Sequence, residues 1–361
     1  MFIELGFVFF FSLATLFMMR KIAKEIGLVD KPNERKHHNG AVPLVGGITI
    51  CISFMYFLFN HPELLPNHRL FMLSIFILTL VGALDDKFDL SFKIRFVIQA
   101  GLSVAMMFVA DIQLHTLGNM LGFGDIDLGV AGYLVTVIAV VGAINAFNMV
   151  DGIDGLLGGL SMVTLGGLGF VLSIGGQSNL AYLCLVLIVI ILPYVLFNLG
   201  LLGRERKVFM GDAGSMLIGF TVIWFLLLSS QQGDALLRPV TALWLIAVPL
   251  MDMAAIMIRR IRRGDSPFKP DREHLHHIFQ RLGLNNTQIL CAICAIAIAY
   301  AAFGIYAEIV GIPEYIMLAL FLVCFFIYQL LLSKVWVITA KYRAWRKAQR
   351  NNNNIDKNYV D

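Results

Sequence analysis

The chain has 361 residues, of which 58% are hydrophobic and 14% charged, with a formal net charge of +4. Soluble domains carry roughly 25% charged residues, so an ordinary globule, a disordered chain and a disulfide-stapled scaffold are all excluded. With a mean hydropathy of +0.79, the chain reads as an all-α polytopic membrane protein; spans of about 20 residues each leave no room for a large soluble domain.

The first apolar run, 1–19, lacks the charged start and small-residue cleavage site of a signal peptide and is expected to remain as the first span. Apolar runs that end at charges or at Gly/Pro/Asn clusters predict eleven spans, near 3–20, 42–59, 70–84, 95–111, 130–147, 156–174, 180–197, 214–230, 239–258, 286–307 and 315–333. Residues 1–335 are expected to form one transmembrane domain. Residues 336–361 read as a basic, lipid-attracting cytoplasmic tail with a disordered Asn-rich end. The loop 112–129, rich in glycine, has the composition of a small hairpin. Cys51, Cys184, Cys291, Cys294 and Cys324 all fall in apolar runs and read as packing residues.

Of the 28 basic residues, all but Arg69 and Arg238 fall in one alternate set of loops and the tail. The positive-inside rule makes that set cytoplasmic, with the N-terminus periplasmic and the C-terminus in the cytoplasm.

Carboxylates are scarce, so their positions carry information. Asp85 and Asp86 close the third span, Asp151 and Asp154 follow the fifth, and Asp212 precedes the eighth, all on the basic side. Adjacent carboxylates beside hydrocarbon repel and are costly unless a cation or proton offsets them. Asn145, Asn148, Asp151 and Asp154 recur at three-residue intervals, which continued helical turns would place on one side. Gly152 and Gly155 let the backbone leave the helix and approach a ligand. The plainer alternatives are a charged solvated loop for the Asp85/Asp86 pair, interhelical hydrogen bonding for the Asn/Asp series, and an ordinary N-cap for Asp212. Asp212 also stands where a helix start offers free N–H groups to anions.

The long basic loop after the ninth span holds Arg259, Arg260, Arg262 and Arg263, whose plainest role is topogenic, and His274, His276 and His277. No cysteine accompanies the three imidazoles and no zinc motif surrounds them, so phosphate or sugar contact fits them better than zinc. Arg95, close behind the acidic pair, joins the substrate-binding set. Hard oxygen ligands, cations for phosphate and a carboxylate base on one membrane face are the parts needed for metal-assisted diphosphate chemistry. Phosphoryl transfer from a cytosolic donor to a lipid acceptor is therefore expected. A secondary transporter is the rival class, although transporter sites favour the bilayer midplane. A hydrolase lacks an H-E-x-x-H or G-x-S-x-G motif.

D-K-P-N-E-R-K-H-H (30–38), P-L-V-G-G (43–47), D-D-K-F-D (85–89), N-A-F-N-M-V-D-G-I-D-G-L (145–156), V-F-M-G-D-A-G-S (208–215), P-L-M-D-M (249–253) and H-L-H-H (274–277) occur in this order. The set resembles the polyprenyl-phosphate N-acetylhexosamine-1-phosphate transferase family, and within it the bacterial undecaprenyl-phosphate N-acetylglucosamine-1-phosphate branch. The resemblance implies an eleven-span bacterial inner-membrane enzyme that transfers GlcNAc-1-phosphate from UDP-GlcNAc to undecaprenyl phosphate with Mg²⁺ or Mn²⁺. Its product would begin enterobacterial common antigen and O-antigen synthesis.

Carried over by motif, Asp212 and Asn148 are implied metal ligands, and Asp85 or Asp86 the group that deprotonates or orients the acceptor phosphate. Asp151 and Asp154 are implied supports for nucleotide and metal. Arg260 and His274 are implied donor-phosphate contacts, with His276 and His277 in the same substrate-binding group, and Arg35, Lys36 and His38 approach the lipid phosphate. Membrane lipid is an expected partner, nucleic acid is not, and a homo-oligomer is left open. The sister phospho-MurNAc-pentapeptide transferases carry a longer His run, which Leu275 interrupts here. Asp252, about two turns inside the ninth span, is a functional hypothesis by default, with tying broken backbone to a neighbouring helix as the plainer role.

Overall fold

A computed structural model describes residues 2–30, 40–232, 236–266 and 274–333. The helices are α1 (Phe2–Ile26), α2 (Gly46–Asn60), α3 (His68–Phe88), α4 (Phe92–Ala110), α5 (Ala131–Met149), α6 (Leu156–Ile174), α7 (Ser178–Asn198), α8 (Gly211–Gln231), α9 (Pro239–Leu245), α10 (Ala247–Arg262), α11 (Leu275–Arg281), α12 (Asn286–Val310) and α13 (Glu314–Ser333). A helix or bent helix pair occupies each of the eleven expected segments. Among the described residues, eight helices are long and apolar enough to cross a membrane, or nine with the bent pair; α2, at 15 residues, and α3 fall outside that set. Both nevertheless pack against α8 inside the bundle.

Helix α8 is the axis. Its sequence is apolar on every face, which is the pattern of a helix surrounded by others, and its apolar window is wholly buried. Small residues let the neighbouring backbones come close. A Cβ on Gly219 would lie 2.6 Å from the Cα of Ile144 on α5, and Gly47 of α2 and Gly82 of α3 abut the backbone of Gly214 and Ala213. Farther along, Phe54, Phe71, Phe220, Trp224 and Phe225 are fully buried together, in edge-on and offset ring contacts.

The ninth expected span is broken. Helices α9 and α10 meet at 83°, with Ile246 at the joint and Pro249 in the first turn of α10, where its missing N–H costs no helical bond. The carbonyl of Leu245 freed at the break accepts from Thr164 Oγ1 at 3.1 Å, the kind of repair a broken helix requires inside a membrane.

Loops gather at two ends. At one, Lys87 Nζ reaches the carbonyl of Ile26, Arg20 that of Glu205, and the N–H of Val45 that of Phe209. At the other, Asn67 bonds the carbonyl of Ala110, Gln231 that of Thr116, and Arg238 that of Ile312. The first end carries the basic loops that the charge count grouped together. Two short pairings refine the sequence reading: Val29–Asp30 pairs antiparallel with Val42–Pro43, and a Thr116–Asp127 bridge closes the expected hairpin within 112–129. Arg35, Lys36 and His38, like the tail, lie outside the described residues.

Candidate active site

The acidic pair ends α3, which stops as Asp89 turns left-handed at φ 53°. Successive residues on a helix point about 100° apart, so Asp85 and Asp86 serve different neighbours. Asp85 is buried and its Oδ2 accepts from Arg95 at 2.5 Å; the same guanidinium nitrogen stands 3.5 Å from Asp212 Oδ2. Asp86 instead accepts the backbone N–H groups of Asp212 at 3.0 Å and Ala213 at 3.5 Å. Two of the free donors at the start of α8 are thus taken by a carboxylate from α3. This corrects the N-cap reading of Asp212, which lies within the first helical turn and caps nothing.

Helix α5 ends at Met149, so the three-residue series splits. Asn148 donates through Nδ2 to Asp212 Oδ1 at 2.6 Å and to Ser215 Oγ at 2.7 Å. Asn145, one turn earlier in α5, bonds Gln99 on α4 at 3.1 Å and its own Val141 carbonyl at 2.7 Å; of the four residues expected on one side, Asn148, Asp151 and Asp154 line one cavity although the helix stops before Asp151, and Asn145 is not among the lining residues. Asp151 and Asp154 sit in the following turn, where Lys207 Nζ pairs with Asp154 at 2.6 Å.

Sequence reasoning missed Asn198, the last residue of α7. Its buried carboxamide accepts the Gly155 N–H at 2.5 Å and donates to the Val208 carbonyl at 2.8 Å. One side chain therefore joins the loop of Asp151 and Asp154 to the loop that leads into Asp212. The available signal was a polar residue closing an otherwise apolar run.

Of these groups, Asp86, Asn148, Asp151, Asp154, Asn198, Lys207 and Asp212 line one cavity of about 840 Å³, together with Asp30, His277, Gln280 and Arg281; Asp85 and Arg95 are not among its lining residues. Solvent reaches Asp151 through the cavity, but the protein packed around it, with the charges of Asp212 and Asp154, pushes its carboxyl up to about 7.

The histidines divide. His277 lines the cavity. His276 is buried with its ring in the space a Cβ on Gly152 would fill; burial, together with the neighbouring rings of His277 and His274, pushes it down to about 3, so it is neutral at physiological pH. His274 turns the other way, its Nδ1 2.8 Å from Asp252 Oδ2. His274 and Arg260, the expected donor-phosphate contacts, are both buried and are not among the lining residues described for this cavity.

Among the described residues, no three His, Cys, Asp or Glu side chains stand ready to cage a metal ion. Mg²⁺ in phosphate-transfer sites is commonly held by only one or two carboxylates, with waters and substrate phosphates completing its octahedron. Asp212, facing the cavity with Asp86, Asp151 and the Asn148 amide around it, offers that hard-oxygen set. The chemistry of these residues fits a divalent ion.

Comparison with known proteins agrees with this geometry. Residues 68–230, from α3 to α8, match glycosyl transferase family 4. The chain is 50% identical over 348 residues to the undecaprenyl-phosphate alpha-N-acetylglucosaminyl 1-phosphate transferase of Yersinia pestis, covering 96% of this chain and 95% of that protein. It is 48% identical to that of Salmonella typhi, over 98% of both chains, and 47% identical to that of Escherichia coli K12, over 96% and 94%. Matches of this length take in the segments that carry the acidic loops and the histidines. The chain therefore belongs to the family of bacterial undecaprenyl-phosphate N-acetylglucosaminyl 1-phosphate transferases.

Proposed function

We propose that this protein transfers GlcNAc-1-phosphate from UDP-GlcNAc to undecaprenyl phosphate, yielding undecaprenyl-diphosphate-GlcNAc and UMP, at a site facing the cytoplasm of the bacterial inner membrane. The observation that carries this reading is the gathering of Asp86, Asn148, Asp151, Asp154 and Asp212 in one polar cavity at the basic end of an apolar bundle. A transporter is disfavoured by the same observation, since its acids would lie near the midplane.

Asp212 and Asn148 would hold Mg²⁺ or Mn²⁺, which when bound supplies charge neutralisation across the diphosphate. Asp86, fixed by two N–H groups of α8, orients Asp212. Lys207, paired with Asp154 at the cavity wall, is placed to meet phosphate charge on the donor. Arg95, shared by Asp85 and Asp212, draws the acceptor phosphate towards the acids. An oxygen of that phosphate attacks the β-phosphorus of UDP-GlcNAc; a P–O bond forms there as the bond to the α-phosphate bridge breaks, and UMP leaves with the electron pair. The second ionisation of a phosphate monoester lies near 6, so proton removal by Asp85 contributes modestly and its larger task is orientation.

The test incubates purified protein with UDP-GlcNAc carrying ³²P in the β-phosphate, undecaprenyl phosphate and Mg²⁺. Label is expected in the lipid fraction and is expected to vanish with EDTA. Label that stays in water-soluble products, beside an active control enzyme, would refute the reading.

A further inference from the structure

We infer that Asp252, deep in α10, is a positioning residue of the nucleotide-sugar pocket, acting through the short helix α11. Both carboxylate oxygens are engaged, and the side chain is only 2% exposed. Oδ2 lies 2.8 Å from His274 Nδ1, while Oδ1 accepts the Leu275 N–H at 3.1 Å and the Tyr328 hydroxyl at 2.6 Å. Asp252 therefore joins three elements that are remote in sequence: the bent ninth span, the entry to α11, and the last described helix, α13.

Helix α11 has seven residues, too few to hold a helix by its own hydrogen bonds. Its place must come from anchors outside it, and two of the three bonds to Asp252 come from the residues that lead into it. What α11 carries explains why its place matters. His277, Gln280 and Arg281 line the same cavity as the acids, and the His276 ring packs on Gly152, which lies between Asp151 and Asp154 in the chain. The rings of His274 and His276 stack at 5.7 Å and 9°, and those of His276 and His277 meet at 4.1 Å. A line of imidazoles thus runs from the buried carboxylate to the cavity wall. A carboxylate at Nδ1 fixes the tautomer and ring orientation of its histidine, as second-layer acids do in metal and catalytic sites.

This inference rests on the donor-pocket reading above, so the experiment separates the two. Full-length protein in lipid nanodiscs is prepared as wild type, Asp252→Ala, Asp252→Asn and Tyr328→Phe. Removing a charge-assisted anchor should raise the KM for UDP-GlcNAc about tenfold in Asp252→Ala, with the KM for undecaprenyl phosphate within about twofold of wild type. Asp252→Asn keeps one acceptor oxygen and should be intermediate, and it carries the test if the alanine variant does not fold. Tyr328→Phe loses only the tie to α13 and should leave the donor KM near wild type. Amide hydrogen exchange across 274–281, measured without substrate, should quicken in Asp252→Ala and Asp252→Asn and not in Tyr328→Phe.

Unchanged exchange and donor KM in a folded Asp252 variant would overturn the inference. So would equal rises in both KM values, which would indicate a general structural role. A wild-type protein that makes no labelled lipid refutes the donor-pocket reading instead, and the exchange measurement still decides whether Asp252 anchors α11.

Discussion

Asp212 sits where three elements meet, with its side chain against Asn148 of α5 and Arg95 of α4 and its backbone N–H held by Asp86 of α3. Asp212→Asn keeps the shape and removes the charge. It should lower transfer about a hundredfold or more, the scale seen when one well-placed electrostatic group is lost from a polar site, while the protein still inserts and folds. Wild-type turnover in that variant would contradict its proposed role as metal ligand. Asp151 makes a pH prediction. Its carboxyl, raised to about 7, is protonated below that value, and a proton there competes with a divalent cation. The Mg²⁺ concentration for half-maximal activity should therefore fall as pH rises from 6 towards 7 and level off above. Asp151→Asn should flatten that dependence, and an equally steep profile in the variant would assign the titration to another group.

Much at this scale was legible because charge is scarce in an apolar chain, so Asp85, Asp86, Asp151, Asp154 and Asp212 stood out without any knowledge of the fold. Their directions were not legible: that Asp86 would cap α8, or that Asn145 would turn to Gln99, depends on how α3 meets α8 and how α4 packs on α5. Nor did three histidines within four residues reveal that His274, His276 and His277 face a buried acid, a glycine and the cavity in turn.

Glycine decides how closely the helices approach. Gly219→Val should strain the contact between α8 and α5, because even a Cβ there meets the Ile144 backbone at 2.6 Å. Overpacking of this kind costs about 1–3 kcal/mol and should lower the melting temperature in detergent. Gly101→Ala on α4, with nothing within 4 Å of the added carbon, should be neutral or slightly stabilising, by up to about 1 kcal/mol. Equal effects at the two positions would remove close backbone packing as the reason for glycine at 219. Apolar run length revealed that helices exist at these places, whereas the bend between α9 and α10 depends on packing: Pro249 marks it in sequence, but Thr164 on another helix satisfies the freed carbonyl. The Val29–Asp30 and Val42–Pro43 pairing was equally hidden, being two residues long.

At the scale of the whole molecule, the charge asymmetry that predicted two sides reappears as two loop ends, one holding every acid of the cavity and the other holding Arg238, paired with Glu308 at 3.1 Å. In a variant cleared of its native cysteines, a cysteine at Phe123, 95% exposed at the Arg238 end, should react with an impermeant thiol reagent added to intact cells. One at Glu205, exposed at the other end, should react only after the cells are opened. The reverse pattern would turn the cavity to the periplasm and out of reach of a cytosolic nucleotide sugar. All of the proposed chemistry depends on the gathered carboxylates taking up a divalent ion together with the diphosphate. Electron paramagnetic resonance of Mn²⁺, titrated into the purified protein with and without UDP-GlcNAc, measures that uptake directly. The expected result is binding strengthened by the nucleotide sugar in wild type and weakened at least about tenfold in Asp212→Asn, as loss of a charged ligand implies; equal Mn²⁺ binding by the two proteins would contradict it.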